Sequence, residues 1–441
     1  MTIATSSQTP VPAEAGAYRV CVVGLGKIGL ALAAQYVSKG CTVRGADINP
    51  DLVREVAQGN VPPNSEAGLA ERVRQGHAAG LLEATTHTSA AAAASNVVVV
   101  IVPLLVDAAG QPVFDALDAA TRAVARGLQP GSLVIYETTL PLGTTHGRFG
   151  PMLAASGLHP GEDFDLAFSP ERVFVGRTFE DLARYPKVVG GTTPRATERA
   201  AEFYAAVLDA PVLRMPNAET AEFVKLAETT YRDVNIALAN DLARFARARG
   251  IDAVAAFQAA NTQPFSNLHV PGVGVGGHCI PVYPQFLLAQ ATPGELELVR
   301  RGRQVNDGMA EYAVRLVADQ LGGLSGTRVL ILGLAYRGGV KEASFSSALL
   351  LIRALRAAGA EPLLDDPLFS EEELRSTGAE PHVLGERVEV DAVVLQTDHA
   401  EYREVDWSQF RGCRVVVDGR NFLDPGPIRI QGLTYVGIGR G

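Results

Sequence analysis

The sequence predicts an α/β protein in which two doubly wound domains are joined by a central region of long helix. An apolar strand at 18–23 runs directly into a glycine-rich turn and a helix, which is how such a domain begins. A long helical pattern occupies 218–249, and a second strand with its own glycine turn starts at 327. The 441 residues are too many for one ordinary hydrophobic core, so two or three domains are expected.

The composition and net charge of the chain limit which binding partners and which cellular location are expected. The chain is 47% hydrophobic and 20% charged, with a net charge of −9 and no basic run, which argues against nucleic acid or an anionic membrane as the main partner. Its most apolar run, at 96–106, is too short to cross a bilayer. Four scattered cysteines without a CxxC pair predict neither a metal site nor disulfides, so a cytoplasmic location is expected.

The first glycine turn has the pattern of a Rossmann-like dinucleotide-binding domain. In Gly24-Leu-Gly-Lys-Ile-Gly29 the first glycine allows the tight turn, the second the approach of a pyrophosphate and the third the packing of helix on strand. The next strand ends in Asp47, whose carboxylate would bind ribose hydroxyls and repel a 2′-phosphate. The pattern therefore predicts NAD as the cofactor. The alternative for Asp47 is an ordinary surface turn.

Further strands at 97–102, 132–136 and 164–168 continue the βα alternation, so we expect a parallel sheet. Ligands of open α/β sheets bind at the carboxyl ends of the strands, and those ends carry Pro103 and Thr139 here. The predicted cofactor contacts are Gly24, Gly26, Lys27, Ile28, Gly29, Asp47, Pro103 and Thr139.

Two charged residues, one after a strand and one on the long helix, are candidates for proton or charge chemistry. Glu171, in Ser169-Pro-Glu-Arg172, follows the strand at 164–168 and is a candidate general base, with an ion pair at the strand end as the alternative. Lys225 lies on the apolar, alanine-rich face of the long helix and is a candidate partner for an oxyanion. The alternative is a lysine whose stem covers apolar surface while its ammonium reaches water.

A loop with four glycines, Gly272-Val-Gly-Val-Gly-Gly-His-Cys279, presents a thiol between His278 and two prolines. Glycine lets the backbone take positive φ and approach a ligand closely. Cys279 is therefore a candidate nucleophile. The alternative is a small buried thiol, since most free cysteines are buried and inert.

The sequence then restarts as a second α/β domain after a helical connector at 296–321. Its last strand is followed by Asp418-Gly-Arg420-Asn421, in which Arg420 is a candidate phosphate ligand and an exposed salt bridge is the alternative. The predicted elements of this domain are a strand and turn at 327–335, a helix at 346–358 and strands at 361–364, 392–396 and 414–417.

Together these motifs resemble the UDP-glucose/GDP-mannose dehydrogenase family of nucleotide-sugar 6-dehydrogenases, over nearly everything after residue 17. The His-Cys-Ile-Pro form most resembles members that act on UDP-N-acetylhexosamines, notably UDP-N-acetylmannosamine. The motifs that carry the resemblance are Gly24-Leu-Gly-Lys-Ile-Gly29, Thr138-Thr-Leu-Pro-Leu-Gly-Thr-Thr145, Ser169-Pro-Glu-Arg-Val173, Tyr231-Arg-Asp-Val-Asn-Ile-Ala237, Gly274-Val-Gly-Gly-His-Cys-Ile-Pro281 and Asp418-Gly-Arg-Asn421.

The resemblance implies that the C6 alcohol of a UDP-sugar is oxidised to a uronic acid by two NAD+, through a thiohemiacetal and a thioester on Cys279. It implies that Lys225 stabilises the oxyanion of these adducts, and that Glu171 and Thr139 orient or activate water. The implied substrate contacts are Arg172, Val173, Lys225, Gly276, Gly277, Arg337 and Arg420.

It also implies at least a homodimer with the long helix at its centre. The expected organisation is a flexible tail at 1–16, an NAD-binding domain at 17–210, a central domain at 211–322 and a UDP-sugar-binding domain at 323–441.

Four positions depart from the family pattern: Tyr283 replaces an aspartate, Thr229 an asparagine, Phe265 an intersubunit arginine, and Ser344 lies in an altered Lys-Pro-Asp…Arg-Glu-Ser segment. Because a tyrosine cannot act as a carboxylate, water activation and substrate contacts are affected. Besides full oxidation, two interpretations stay open: a partial or redox-neutral conversion, and a non-catalytic nucleotide-binding partner. A β-hydroxyacid dehydrogenase would lack the cysteine loop and the second α/β domain and is disfavoured.

Overall fold

A computed structural model describes residues 14–63, 65–107, 109–174 and 176–440. Most of the predicted tail lies outside these residues. Its last residues enter a short 3₁₀ helix at Ala15–Ala17, where the Ala15 carbonyl accepts a hydrogen bond from the Cys41 thiol at 3.2 Å. The chain forms two compact units, 1–227 and 228–441, and each is organised around its own sheet.

The first unit contains an eight-stranded sheet and a small hairpin. The strands predicted at 18–23, 97–102, 132–136 and 164–168 begin and end within two residues of the predicted positions. The strands of the unit are β1 (Arg19–Val23), β2 (Thr42–Ala46), β3 (Leu82–Thr85), β4 (Val97–Val100), β5 (Leu105–Val106), β6 (Pro112–Val113), β7 (Leu133–Tyr136), β8 (Asp165–Phe168), β9 (Lys187–Gly191) and β10 (Val212–Arg214).

Helices cover both faces of this sheet, so its central strands are buried on both sides and read as unbroken apolar runs. Strand β4, for example, is Val97–Val100 with every residue buried. The helices of the unit are α1 (Lys27–Ser38), α2 (Pro50–Ala57), α3 (Leu69–Ala78), α4 (Thr88–Ala93), α5 (Asp115–Gly127), α6 (Gly150–Ala154), α7 (Thr178–Arg184) and α8 (Pro194–Val207), with a π-helical turn at Thr145–Phe149.

The strand order confirms the predicted doubly wound fold. Strands β3-β2-β1-β4-β7-β8 lie side by side and run parallel, which is the 3-2-1-4-5-6 order of a Rossmann-like sheet. The predicted strands are all parallel, whereas β9, which was not predicted, pairs antiparallel with β8. The connection between them, at 169–186, contains the seven-residue α7.

A 30-residue helix, α9 (Ala218–Arg247), continues into the second unit. It matches the predicted helix at 218–249 closely. The predicted connector at 296–321 is two helices that meet at Gly308. The remaining helices are α10 (Ala253–Ala260), α11 (Tyr283–Leu288), α12 (Glu297–Asp307), α13 (Met309–Leu321), α14 (Ser347–Ala357), α15 (Glu371–Ser376) and α16 (Pro425–Ile430).

The second unit repeats the doubly wound order. Its six-stranded sheet runs β13-β12-β11-β15-β17-β18, all parallel, with a separate pair β14-β16. The strands are β11 (Arg328–Leu332), β12 (Glu361–Asp365), β13 (Glu380–Pro381), β14 (Val388–Glu389), β15 (Ala392–Leu395), β16 (Phe410–Arg411), β17 (Val415–Asp418) and β18 (Thr434–Gly437). Within the described part of the chain, every helix is too short or too polar to cross a membrane.

Two glycines of the first turn, Gly26 and Gly29, should differ in how much their replacement by alanine destabilises the protein. A Cβ on Gly29 would lie 1.9 Å from the Gly24 carbonyl oxygen, whereas a Cβ on Gly26 would meet nothing within 4 Å. We expect Gly29→Ala to destabilise the protein by at least about 3 kcal/mol, the upper range for overpacking. The matched Gly26→Ala should cost about 1 kcal/mol or less, the loss of a glycine N-cap. Urea unfolding of both variants tests this, and equal stability of the two would contradict it.

Candidate active site

The first glycine turn is closed by hydrogen bonds to the end of β2. The Gly24 amide donates to the Ala46 carbonyl at 2.8 Å, and the Leu25 amide donates to the Asp47 carboxylate at 2.7 Å. Gly24 has φ +98° and its Cα faces the Ile101 carbonyl, so a side chain there would clash. The carboxylate predicted to bind the ribose is thus fixed beside the turn.

This turn fits the pyrophosphate and ribose of NAD. Helix α1 begins at Lys27 without an acidic residue in its first turn, so its positive end is open to an anion. The free space beside Gly26 allows backbone contact with a phosphate. Asp47 is half-buried at the adjacent strand end, and Pro103 is exposed after β4. Lys27 and Ile28 form the first turn of α1.

Thr139 is buried in the loop that follows β7. The continuation of this loop is fixed to helix α9 by Glu222, a fully buried carboxylate that accepts from the Gly143 amide at 2.6 Å and from the Thr145 amide and hydroxyl at 2.9 and 2.7 Å. Burial raises the pKa of Glu222 to about 7, although these donors act in the opposite direction. Lys225 is half-buried one turn further along α9. Glu222 therefore ties the Thr139 loop to the helix that carries Lys225.

Glu171 is an ion-pair member at the end of β8, and its partner is Lys187. The Lys187 ammonium lies 2.9 Å from Glu171 Oε2, and the other oxygen accepts from the Arg172 and Val173 amides. Burial raises the pKa of Glu171, but the Lys187 charge and the hydrogen bonds outweigh it and hold the pKa below its usual value. An ionised, oriented carboxylate accepts hydrogen bonds well and removes protons poorly.

Sequence reasoning named Arg172 and Val173 as substrate contacts. The Arg172 guanidinium donates to the Pro186 carbonyl at 3.1 Å, and Val173 packs against the apolar core of the first unit. Both therefore have structural roles at this sheet edge.

The cysteine loop belongs to the second unit and packs closely on it. A Cβ on Gly276 or Gly277 would lie within 3.0 Å of the Tyr336 side chain, and one on Gly274 would lie 2.6 Å from Ser347 Oγ. The Gly277 amide donates to the Ser344 carbonyl at 2.9 Å. The glycines thus let the loop approach its own chain as closely as they would let it approach a ligand.

A buried polar network supports the start of this loop. The Gly272 amide donates to Asn240 Oδ1 at 2.9 Å, and Asn240 donates to Asn306 Oδ1 at 3.0 Å. Asn306 donates to Asp233, which also pairs with Arg303 at 2.6 Å. Helices α9 and α12 are thereby connected to the loop through side chains that are almost wholly buried.

At the other end of the loop Cys279 is an exposed free thiol, so the alternative of a buried structural cysteine is wrong. Its carbonyl accepts from the Tyr283 amide at 3.0 Å, which places Tyr283 one turn further on, buried against His278 and Phe286. Burial lowers the pKa of His278. Thr229 is also buried.

Arg420 contacts the cysteine loop directly. Its Nη1 donates to the Gly274 carbonyl at 3.3 Å and its Nε to the Gln396 carbonyl at 2.5 Å. Among the described residues Nη2 is buried without a hydrogen-bond partner, so one donor remains for an added group. The alternative of an exposed salt bridge is wrong. Arg337 is exposed in the loop after β11.

Lys187 and Glu222 were not predicted from the sequence. The lysine that opens the apolar strand Lys187-Val-Val-Gly-Gly191 is a local signal of a buried charge. Glu222 lies three residues before Lys225 on the same helix. Nothing in the sequence around it indicates that its hydrogen-bond partner is Thr145, 77 positions away.

Comparison with known proteins places these features in one family. Models of the UDP-glucose/GDP-mannose dehydrogenase family match its NAD binding domain at 18–208, its central domain at 219–308 and its UDP binding domain at 330–425. A UDP-N-acetyl-D-mannosamine dehydrogenase from Pyrococcus horikoshii is 35% identical over 433 residues, which cover 96% of this chain and 99% of the relative. One from Salmonella typhi is 32% identical over 407 residues, 88% and 94% of the two chains.

Solved structures agree. A UDP-D-ManNAc dehydrogenase from P. horikoshii has a TM-score of 0.84 and 33% identity, covering 96% of this chain and 99% of that one. A UDP-glucose dehydrogenase from Pyrobaculum islandicum has a TM-score of 0.84 and 29% identity, covering 96% and 98%. The chain therefore belongs to the UDP-glucose/GDP-mannose dehydrogenase family and is an NAD-dependent dehydrogenase.

Proposed function

We propose that this enzyme oxidises the C6 alcohol of a UDP-sugar, a UDP-N-acetylhexosamine or UDP-glucose, to the uronic acid through a covalent adduct on Cys279. The observation that carries the proposal is an exposed thiol on a loop whose backbone is held by Arg420, a residue with one buried donor still unpartnered. The P. horikoshii and S. typhi relatives, named for UDP-N-acetyl-D-mannosamine, favour that sugar as the first to test.

Bound NAD supplies the acceptor for one hydride in each of two oxidations. Addition of the Cys279 thiolate to the C6 aldehyde gives a thiohemiacetal that keeps one hydrogen on C6, so a second oxidation to the thioester is possible. Lys225 would place a positive charge near the C6 oxygen of these adducts. Hydrolysis of the thioester releases the acid and the thiol.

Glu171 and Thr139 are proposed to orient the hydrolytic water. The described geometry supports an orienting rather than a proton-removing role for Glu171, because its carboxylate is held ionised by Lys187. Arg420 is proposed to bind the UDP portion, and Gly276, Gly277 and Arg337 to contact the substrate nearby. Since Tyr283 offers no carboxylate one turn after Cys279, water handling must rely on other groups, and release of the aldehyde is the favoured alternative outcome.

Counting NADH tests the reaction. We expect two NADH per sugar consumed, with a product that has gained one oxygen and lost two hydrogens. Cys279→Ala should lower turnover by at least about 10³-fold, a loss typical of a missing nucleophile. Cys413→Ala, a buried thiol in the second unit, is the matched control and should keep turnover. One NADH per sugar would indicate the aldehyde, an unchanged mass an epimer, and no NADH with any UDP-sugar would refute the proposal.

We also propose a homodimer formed through the outward face of α9, in a reducing cytoplasm that suits the free thiols of this chain. Tyr231, Leu238, Leu242 and Phe245 recur at helical spacing, and their exposed fractions are 62%, 48%, 39% and 57%. An apolar stripe of this kind on a soluble helix is typical of a protein interface. Phe265, 92% exposed, stands where the family pattern has an intersubunit arginine.

Charge placed in this stripe should dissociate the dimer. We expect Leu238→Glu and Phe245→Glu to be monomeric by size-exclusion chromatography with light scattering, while the wild type is dimeric, because a buried unpaired carboxylate is costly. Ile430→Glu changes a still more exposed apolar residue on α16 and should leave the dimer intact. A monomeric wild type, or dimeric glutamate variants, would contradict this surface.

A further inference from the structure

A buried cluster of alternating charge, Glu137–Lys187–Glu171, lies at the edge of the first sheet. The Lys187 ammonium is 2.7 Å from Glu137 Oε2 and 2.9 Å from Glu171 Oε2, and its side chain is only 4% exposed. A lysine this deeply buried is unusual unless it is paired. Because these charges are buried, they do not serve the solubility of the surface, and another role must account for them.

The reversal of β9 explains how a lysine reaches this edge. The cluster carboxylates follow β7 and β8, whose carboxyl ends lie at the edge where an open α/β sheet binds its ligands. Because β9 is antiparallel to β8, its first residue lies at that same edge. A parallel β9 would have placed Lys187 at the opposite end of the sheet. The antiparallel pairing thus delivers a positive charge to the ligand-binding edge.

The charged groups nearest to Lys187 are Glu137 and Glu171. These two carboxylates differ in their hydrogen-bond partners and in their exposure to solvent. Glu137 Oε1 accepts from the hydroxyls of Tyr36 and Tyr204, at 3.0 and 2.5 Å, on helices α1 and α8. Glu137 is wholly buried and fully occupied by structural donors, whereas Glu171 keeps 12% of its side chain exposed. Glu171 is therefore the member that can reach a substrate or water.

The two carboxylates also differ in pKa, which is raised for Glu137 and lowered for Glu171. Burial raises the pKa of Glu137 to about 7, against the attraction of Lys187. Burial opposes the charge of Lys187, but the two carboxylates raise its pKa above the usual value. The other titratable groups at this edge are Arg172, Asp181 and Tyr185, which line a small pocket beside Glu171 together with Lys187.

We propose that Lys187 is a positioning residue for the reaction: anchored by Glu137, it holds the Glu171 carboxylate ionised and correctly oriented. This role rests on the proposed function of Glu171 in orienting water. Without the ammonium, two carboxylates would face each other in a buried site, and repulsion would protonate or displace Glu171. The effect should appear in the rate of the reaction and in its pH dependence, while cofactor and substrate binding stay close to normal.

Three variants test the proposal: Lys187→Met, Lys187→Arg and, as the surface control, Lys39→Met, which removes only the exposed ion pair with Asp209. For Lys187→Met we expect kcat to fall at least tenfold with KM and NAD affinity within about threefold of wild type. The acid limb of its pH profile should move to higher pH, because Glu171 would need a higher pH to ionise. Lys187→Arg, whose guanidinium can donate to both carboxylates, should recover most of the rate.

The outcomes separate this role from a purely structural one. A Lys187→Met enzyme with wild-type kcat and an unmoved acid limb overturns the proposal. So does a slow enzyme whose acid limb is unmoved and whose rate Lys187→Arg does not restore. When Lys187→Met fails to fold, the neutral polar variant Lys187→Gln takes its place: a lowered kcat with a displaced acid limb supports the role, and an unchanged kcat and pH profile overturn it. An inactive wild type refutes the proposed function itself, whereas an active wild type with an unaffected Lys187→Met refutes only the role of Lys187.

Discussion

Parallel strand pairing is the constraint on which both units depend, because it brings the carboxyl ends of neighbouring strands to one edge of each sheet. In the first unit that edge holds the Gly24 turn, Asp47, and the loops with Thr139 and Glu171. Residues far apart in sequence meet there without any local signal. Strand β9 runs in the opposite direction and starts at the same edge, which is why a residue at its start can act together with residues that follow β7 and β8.

The second unit builds the same turn and uses it differently. Its Gly333 amide donates to the Asp365 carbonyl at 2.8 Å and the Leu334 amide to the Asp366 carboxylate at 2.7 Å, as Gly24 and Leu25 do in the first unit. Asp366, however, is buried and also bonded to His399 Nε2 at 3.1 Å. A carboxylate so fully engaged is not available for the ribose contact predicted for Asp47. The two domains therefore share a strand order but differ in ligand, in agreement with their NAD binding and UDP binding family models.

Features that depend on a single short segment of the chain could be predicted from the sequence, and features that depend on the arrangement of distant segments could not. The glycine turn, Asp47 and the exposed Cys279 were predictable, because each depends on residues within one strand-turn-helix or one loop. The lysine at the start of β9 is a visible signal, but its place beside Glu171 was not predictable, because that depends on the reversal of β9 and strand direction leaves no trace in five residues. The sequence predicted an apolar, alanine-rich face on the long helix, but not that apolar residues of α9 such as Leu238 are exposed. Periodicity identifies a face but not what covers it.

The bracing of the cysteine loop affects how variants of this enzyme can be interpreted. Arg420 donates to the Gly274 carbonyl, and Ser344 accepts from the Gly277 amide, so both residues fix the backbone that carries Cys279. The Ser344 contact is made by its backbone, but the Arg420 contact is made by its side chain, so removing that side chain would disturb the thiol even with no substrate present. Loss of activity in an Arg420 variant therefore does not by itself assign the arginine to nucleotide binding. The distinction requires a property of the free enzyme: the alkylation rate of Cys279 changes when the loop is disturbed, and stays constant when only a ligand contact is lost.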